Sequence, residues 1–210
     1  MLSAAQHEAV TSEAARPLQI LAGPGSGKTR VLTSRVAHLV RDSAAPIAPE
    51  RCVVVTFTNR AANEMRARLE TMIGADRTRR LVLGTFHAVC VRFLRRWGTR
   101  LGLDPRFTIA DTDDARRLLR DVDRDAPVDA TLAAISRAKA HGWTPDELRA
   151  SAQHAPGSPA HTEHLALCRT YAAYQQQLRT SHALDFDDLL LLSVRLFREH
   201  PELTSHTDHV

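Results

Sequence analysis

The run Ala22-Gly23-Pro24-Gly25-Ser26-Gly27-Lys28-Thr29 has residue types and spacing suited to holding a nucleoside triphosphate. It fits a known pattern: Ala or Gly, four residues, Gly-Lys, then Ser or Thr. Ala22 stands where the strict form has glycine. Glycines let backbone N–H groups curl around the β- and γ-phosphates at the start of the next helix, where the dipole favours anions. Lys28 supplies a compact charge to those oxygens, and the Thr29 hydroxyl can ligate Mg²⁺. Of 28 basic residues only Lys28 and Lys139 are lysines, so a chain that otherwise chooses arginine has put one of its two lysines in this turn.

Breaking a triphosphate also needs an acidic residue at the end of another strand, to hold the metal and place water. Three stretches have the right residue types. Asp146-Glu147 follows Thr-Pro and opens a helix as a capping box. Residues 111–114, "DTDD", follow a run that is barely a strand, and residues 185–188, "DFDD", begin a helix. None fits the required position.

Other constellations carry less. His161, His164 and Cys168 fall at i, i+3 and i+7, which raises a metal site, yet a fourth ligand at sensible spacing is missing. No nucleophile arrangement of Ser, His and Asp or of Cys and His stands out. Arg92, Arg95, Arg96 and Arg100 share one helix face, and Arg77, Arg79 and Arg80 cluster. Either set could neutralise nucleic-acid phosphates or form a solvated face.

Three strand-then-helix units position these residues. "LQILA" (18–22) precedes a helix from about Gly27 to Arg41, "CVVVTF" (52–57) precedes one over residues 59–74, and "LVLGTF" (81–86) leads into one starting near His87. Ala62, Met65, Leu69 and Met72 give the second helix its apolar face. This alternation predicts an α/β fold, a parallel sheet with crossover helices whose ligands lie at the carboxyl ends of the strands. Residues 101–182 read instead as a helical insertion, with starts at Thr112 and Thr144, one short extended piece at "FTIAD" and a loop at "QHAPGSPAHTEH". An amphipathic helix capped by Asp185 and ended by Pro201 follows.

Composition sets the frame. The 210 residues, 43% hydrophobic and 25% charged, describe a globular chain, and no apolar run approaches a membrane span. A net charge of +4 and a pI near 9.4 favour a polyanionic partner. Cys52, Cys90 and Cys168 are odd in number and far apart, which argues for a reduced compartment, cytosol or nucleus.

Five stretches in order give the chain a resemblance to the UvrD/Rep-type superfamily 1 DNA helicases. "LSAAQHEAV" (2–10) resembles the Q-motif, with Ser3 where Asn is usual. "AGPGSGKTRVLTSRVAHLV" is similar to motif I, "VVVTFTNRAANEM" to motif Ia and "LVLGTFHAVC" to motif Ib, with Ala88 at a position often Gly; "LDFDDLLLL" resembles the helix before motif II. "PLQILAGPGSGKT" together with "ISRAKAHG" looks most like the fungal anti-recombinase branch, which implies the nucleus, with a bacterial cytoplasm as the alternative.

The resemblance implies a P-loop NTPase (RecA-like) fold with a helical insertion subdomain. It places a first part of domain 1A at residues 1–95, a 1B-like insertion at 96–182 and a return to 1A at 183–210. It implies ATP with Mg²⁺ and ATP-driven 3′-to-5′ translocation on single-stranded DNA. Gln6 would read the adenine edge and Arg30 would pack on the base or sugar. Residues Ala22, Gly23, Pro24, Gly25, Ser26, Gly27, Lys28 and Thr29 would hold the triphosphate, Lys28 and Thr29 being the catalytic pair. Thr56, Phe57, Thr58, Asn59, Thr85, Phe86 and His87 would line the single-strand track; read without the family, Phe57 suits a core and His87 a structural role. In this family the metal-binding acid follows shortly after the helix resembling Leu184–His200, so the chain is expected to be C-terminally incomplete and to stop before the Walker B strand. A binding module that turns nothing over, or an inactive fragment, are the alternatives.

Overall fold

Val53, Val54 and Val55 are β-branched and unbroken by polar residues, the composition of a strand covered on both faces. A computed structural model of the chain describes residues 2–13, 17–152 and 157–206, and forms strand β1 at Val53–Thr56. Its parallel partner is β2, Val82–Thr85, in a register that sets Val53 opposite Val82 and Thr56 opposite Thr85.

A parallel pair needs a crossover, supplied here by α3 (Asn59–Ile73) and α4 (Ala75–Arg80), the latter not foreseen in the sequence. The Thr58 hydroxyl caps α3 by accepting from the Ala61 N–H. Ala62, Met65, Leu69 and Ile73 face inward, so Ile73 rather than the half-buried Met72 completes the apolar face. Gly74, at φ 85°, ends the helix in a conformation that disfavours a side chain. These residues pack with Val36, Val40, Val54, Leu81 and Leu83 into one core.

The chain divides into two compact units, Met1–Val89 with His200–Val210, and Cys90–Glu199. Besides β1, β2, α3 and α4, the first holds α1 (Ala4–Thr11) and α2 (Lys28–Ala37). A π-helical turn at His38–Asp42 prolongs α2, closing with the Ser43 N–H on the His38 carbonyl at 2.8 Å. Helix α5 (Phe86–Trp97) starts in the first unit and enters the second at Cys90.

The expected strand at 18–22 is not formed. An apolar run becomes a strand only where a neighbour completes its hydrogen-bond ladder, and β1 pairs with β2 while no described strand lies beside 18–22. Leu18, Ile20 and Leu21 are accordingly exposed, Leu21 by 88%. Among the described residues the result is a mostly helical fold with two small parallel pairs rather than a three-stranded sheet.

The second unit is helical around β3 (Thr108–Ile109) and β4 (Ala183–Leu184), a two-residue parallel pair. Its helices are α6 (Thr112–Val122), α7 (Val128–Ala140), α8 (Pro145–Ala150), α9 (Pro159–Thr180) and α10 (Phe186–Glu199). Asp111, Thr144 and Ser158 cap α6, α8 and α9; Asp111 and Thr144 complete reciprocal capping boxes. The start of α9 at Pro159 takes over the end of the expected loop, of which residues 153–156 lie outside the described residues. Tyr171, Tyr174, Leu119, Leu178 and Ile135 form the fully buried centre. No described helix is long and apolar enough to cross a membrane.

Candidate functional site

The Gly-rich turn leads directly into α2, with Gly27 as N-cap at φ 87° and ψ 24° and Gly25 also at positive φ. Both positions lie in the left-handed region where a Cβ is strained, so the turn's path requires glycine there. Gly27 carries no side chain to cap the helix, and the first turn holds no acidic residue. The leading N–H groups of α2 are therefore left for an external acceptor, at the positive end of the dipole.

Lys28 and Thr29 are exposed at this start. The Lys28 ammonium donates to the carbonyls of Ala22 at 3.0 Å and Gly23 at 2.6 Å, folding back over the turn that a triphosphate would fill. The Ser26 hydroxyl donates to the same Gly23 carbonyl at 2.7 Å, tightening the loop. These lysine contacts are neutral acceptors on a mobile stem, which phosphate oxygens can replace at a gain in charge complementarity.

Helix α1 meets the turn through Gln6. Its Oε1 accepts from the Ser3 N–H at 3.0 Å within a capping box, and its Nε2 donates to the Ser26 carbonyl at 3.0 Å. A side-chain amide has two donors and two lone pairs, so among the described residues Gln6 retains one of each, the pair that an adenine edge would take. A Cβ on Gly27 would lie 3.4 Å from Gln6 Nε2 and 3.9 Å from Arg30 Cβ, so Gln6 and Arg30 flank the same glycine. Ala22, Gly23, Pro24, Gly25 and Ser26 are all exposed.

The second group of candidate residues is assembled by strand register. Because Thr56 sits opposite Thr85, the residues leaving the two strands, Phe57 and Phe86, stand side by side with ring centroids 5.8 Å apart. Phe57 is 92% exposed and Phe86 45%, which excludes the core reading for Phe57. The Thr56 hydroxyl donates to the Thr58 carbonyl at 3.0 Å, and the Thr85 hydroxyl accepts from the Ala88 N–H at 3.3 Å, so both hydroxyls shape the bends next to the rings. Asn59 is exposed and His87 half-buried in the same two segments. Two exposed rings at adjoining strand ends offer faces for base stacking.

The remaining sequence candidates separate. Arg79 pairs with Asp76, and Arg80 with Glu50 at 2.8 Å, so two of the three clustered arginines are matched by carboxylates. Arg100 falls beyond α5 in a 3₁₀ turn, Arg95 lies over the Phe107 ring and Arg96 over the Trp97 ring. His164 Nε2 is 2.9 Å from the Leu148 carbonyl, and the described residues hold no group of three or more metal-ligating side chains. Burial pushes the Cys52 thiol up to about 11, far from a reactive thiolate.

Each acidic stretch considered for the metal has a local task. Glu147 closes the capping box of α8, accepting from the Thr144 N–H at 2.7 Å. Asp111 caps α6, while Asp113 and Asp114 pair with Arg116 and Arg117. Asp185 and Asp188 enclose the Lys139 ammonium at 2.6 and 2.8 Å, with the Tyr174 hydroxyl on Asp185 at 3.0 Å and Gln175 on Asp188 at 3.1 Å. Burial raises the Asp188 carboxyl against the pull of Lys139. In the sequence Lys139 stands out as one of two lysines and lies in "ISRAKAHG", but neither feature points to these carboxylates.

The description "UvrD/REP helicase N-terminal domain" matches residues 2–209. The chain belongs to this family. The "ATP-dependent DNA helicase PcrA" of Leuconostoc citreum is 42% identical over 194 residues, 89% of this chain and 25% of the relative. The proteins of that name from Staphylococcus epidermidis and Staphylococcus aureus are 38% identical over 209 residues, 96% of this chain and 27% of theirs. This UvrD/REP chain thus spans about a quarter of the length of the curated relatives it matches. Membership implies the P-loop NTPase fold, of which β1 and β2 are the sheet portion formed among the described residues. These three relatives are bacterial, which matches the bacterial alternative and lends no support to the fungal branch or the nucleus.

Proposed function

We propose that this chain is the ATP-binding N-terminal part of an ATP-dependent 3′-to-5′ DNA helicase, working on single-stranded DNA in a bacterial cytoplasm. The observation that supports it most is the start of α2: an uncapped, exposed helix N-terminus whose glycines sit at positive φ and whose lysine covers the turn. The donor set fits a triphosphate with Mg²⁺. Residues Gly23–Thr29 would surround the phosphates, Lys28 would neutralise the β and γ oxygens and Thr29 would offer a hydroxyl to the metal. Bound magnesium would supply charge neutralisation at the leaving phosphate. Gln6 and Arg30 would hold the base.

In the same reading, Phe57 and Phe86 stack on bases while Thr56, Thr58, Asn59, Thr85 and His87 meet the sugar-phosphate backbone. Stacking tolerates any sequence, as a translocase requires. Residues 1–95 would be the first part of the nucleotide-binding domain, 96–182 the helical insertion and 183–210 the return to the first domain.

A narrower reading, binding of ATP and DNA without turnover, is favoured by one observation: Glu147, Asp111, Asp185 and Asp188 are all engaged locally. ATP hydrolysis by the purified chain, with and without single-stranded DNA and beside Lys28→Ala, separates the two. DNA-stimulated turnover lost in Lys28→Ala supports a complete site. Mg-ATP binding without turnover supports the narrower reading, and neither binding nor turnover contradicts both.

A further inference from the structure

Helix α1 is eight residues long, well short of the roughly 12–15 that an isolated helix needs to persist in water. Apolar packing does little to hold it, since Val10 is its one buried residue. Nor does it carry a basic residue in its last turn to complement its own carbonyls. Something outside the helix must fix its C-terminal end.

That role falls to Arg35 on α2, only 5% exposed. Its Nη1 lies 3.0 Å from the Ala9 carbonyl, 3.4 Å from that of Val10, 3.1 Å from that of Ser12 and 2.7 Å from the Ser12 hydroxyl. These acceptors are the end of α1 that no intrahelical N–H reaches. No carboxylate among the described residues pairs with the guanidinium. Burial lowers its pKa, and Nη2 has no acceptor among the described residues. A buried arginine with one nitrogen unmatched is poorly arranged as a stability device and well arranged as a clamp on a chain end.

We propose that Arg35 is the positioning residue for adenine recognition. It clamps the C-terminal end of α1 so that Gln6, one turn into the same helix, presents its amide beside Gly27. This rests on the reading of the turn as an ATP site. Arg35 touches no nucleotide; it acts through Gln6. An amide held in place pairs with the N6 donor and N7 acceptor of adenine. Guanine offers two acceptors there, O6 and N7, which one amide cannot match with its donor and acceptor. Loss of the clamp therefore removes base discrimination and leaves phosphate binding untouched.

The test is Mg-ATP and Mg-GTP affinity of the 210-residue chain by calorimetric titration, in wild type, Gln6→Ala, Arg35→Met, the double variant, Arg35→Lys and Lys28→Ala, each checked for its melting transition. The expected result is an ATP-over-GTP preference that falls about ten- to hundredfold in both Gln6→Ala and Arg35→Met. GTP affinity stays unchanged, and the double variant loses nothing more than either single one. Arg35→Lys, whose ammonium can still donate to those carbonyls, recovers part of the preference. Should Arg35→Met fail to fold, Ser12→Ala, which removes one acceptor, must lower the preference in the same direction. Retained preference in Arg35→Met, equal weakening of both nucleotides, or additive losses in the double variant would overturn the proposal while leaving the ATP site standing. Unchanged nucleotide affinity in Lys28→Ala, or no adenine preference in wild type, would instead remove the reading on which it rests.

Discussion

The chain's two lysines occupy opposite environments. Lys28, in the first unit, is exposed and rests on two neutral backbone carbonyls. Lys139, in the second, has a fully buried side chain between two carboxylates, with the rings of Tyr171 and Tyr174 at 5.8 and 5.4 Å. Both positions call for a compact cation on a flexible stem, which the planar fork of arginine cannot imitate. The difference lies in whether the charge is already satisfied. At Lys139 the protein has supplied two carboxylates, so the charge serves the fold; at Lys28 it has supplied only replaceable neutral acceptors, which supports the proposal that the charge is held for a ligand.

The largest effect should come from the buried lysine. Lys139→Ala leaves two carboxylates without their cation and should lower the stability of the second unit by about 3–5 kcal/mol, measured by urea unfolding. Lys28→Ala should stay within about 0.5 kcal/mol of wild type in the same experiment. Equal losses would erase the contrast.

Next in size is the aromatic pair, the other feature held open to solvent. Phe57→Ala should weaken single-stranded DNA binding by about 1–3 kcal/mol in a fluorescence titration, with Mg-ATP affinity unchanged. Thr58→Ala removes the cap of α3 and should cost about 1 kcal/mol of stability. The smallest effect belongs to Glu147, whose hydrogen bond from the Thr144 N–H holds its carboxyl below the ordinary value. A depressed carboxyl stabilises the fold above its unfolded pKa, near 4.3, and loses that contribution as pH falls through the folded value. Glu147→Gln should therefore flatten the acid limb of a stability–pH curve slightly.

These contrasts also explain what could be read from the sequence. The Gly-rich turn is local: eight consecutive residues specify its path, and the structure gives Gly25 and Gly27 the positive φ that their type allows. Caps at Thr144 and Asp185 were legible for the same reason. Phe57 and Phe86 could each be singled out, yet their contact depends on a strand register fixed across 29 positions by the Val53–Val82 and Thr56–Thr85 pairing. The Lys139 cluster joins α7 to α9 and α10, and its two carboxylates stand 46 or more positions from the lysine in stretches that do not announce the pairing. Residues 18–22 misled because an apolar run states what a strand needs on its faces and says nothing about who completes its ladder. Arg35 was hidden by its own type, one arginine among many, marked out only by burial.

The central claim is that Lys28 is a cation kept for a nucleotide. Mg-ATP titration into the 210-residue chain and into Lys28→Ala, with melting curves beside each, tests it directly. Wild type should bind, Lys28→Ala should lose binding, and the two melts without nucleotide should superimpose. Binding that survives the substitution, or a Lys28→Ala chain that melts far below wild type, would contradict the claim.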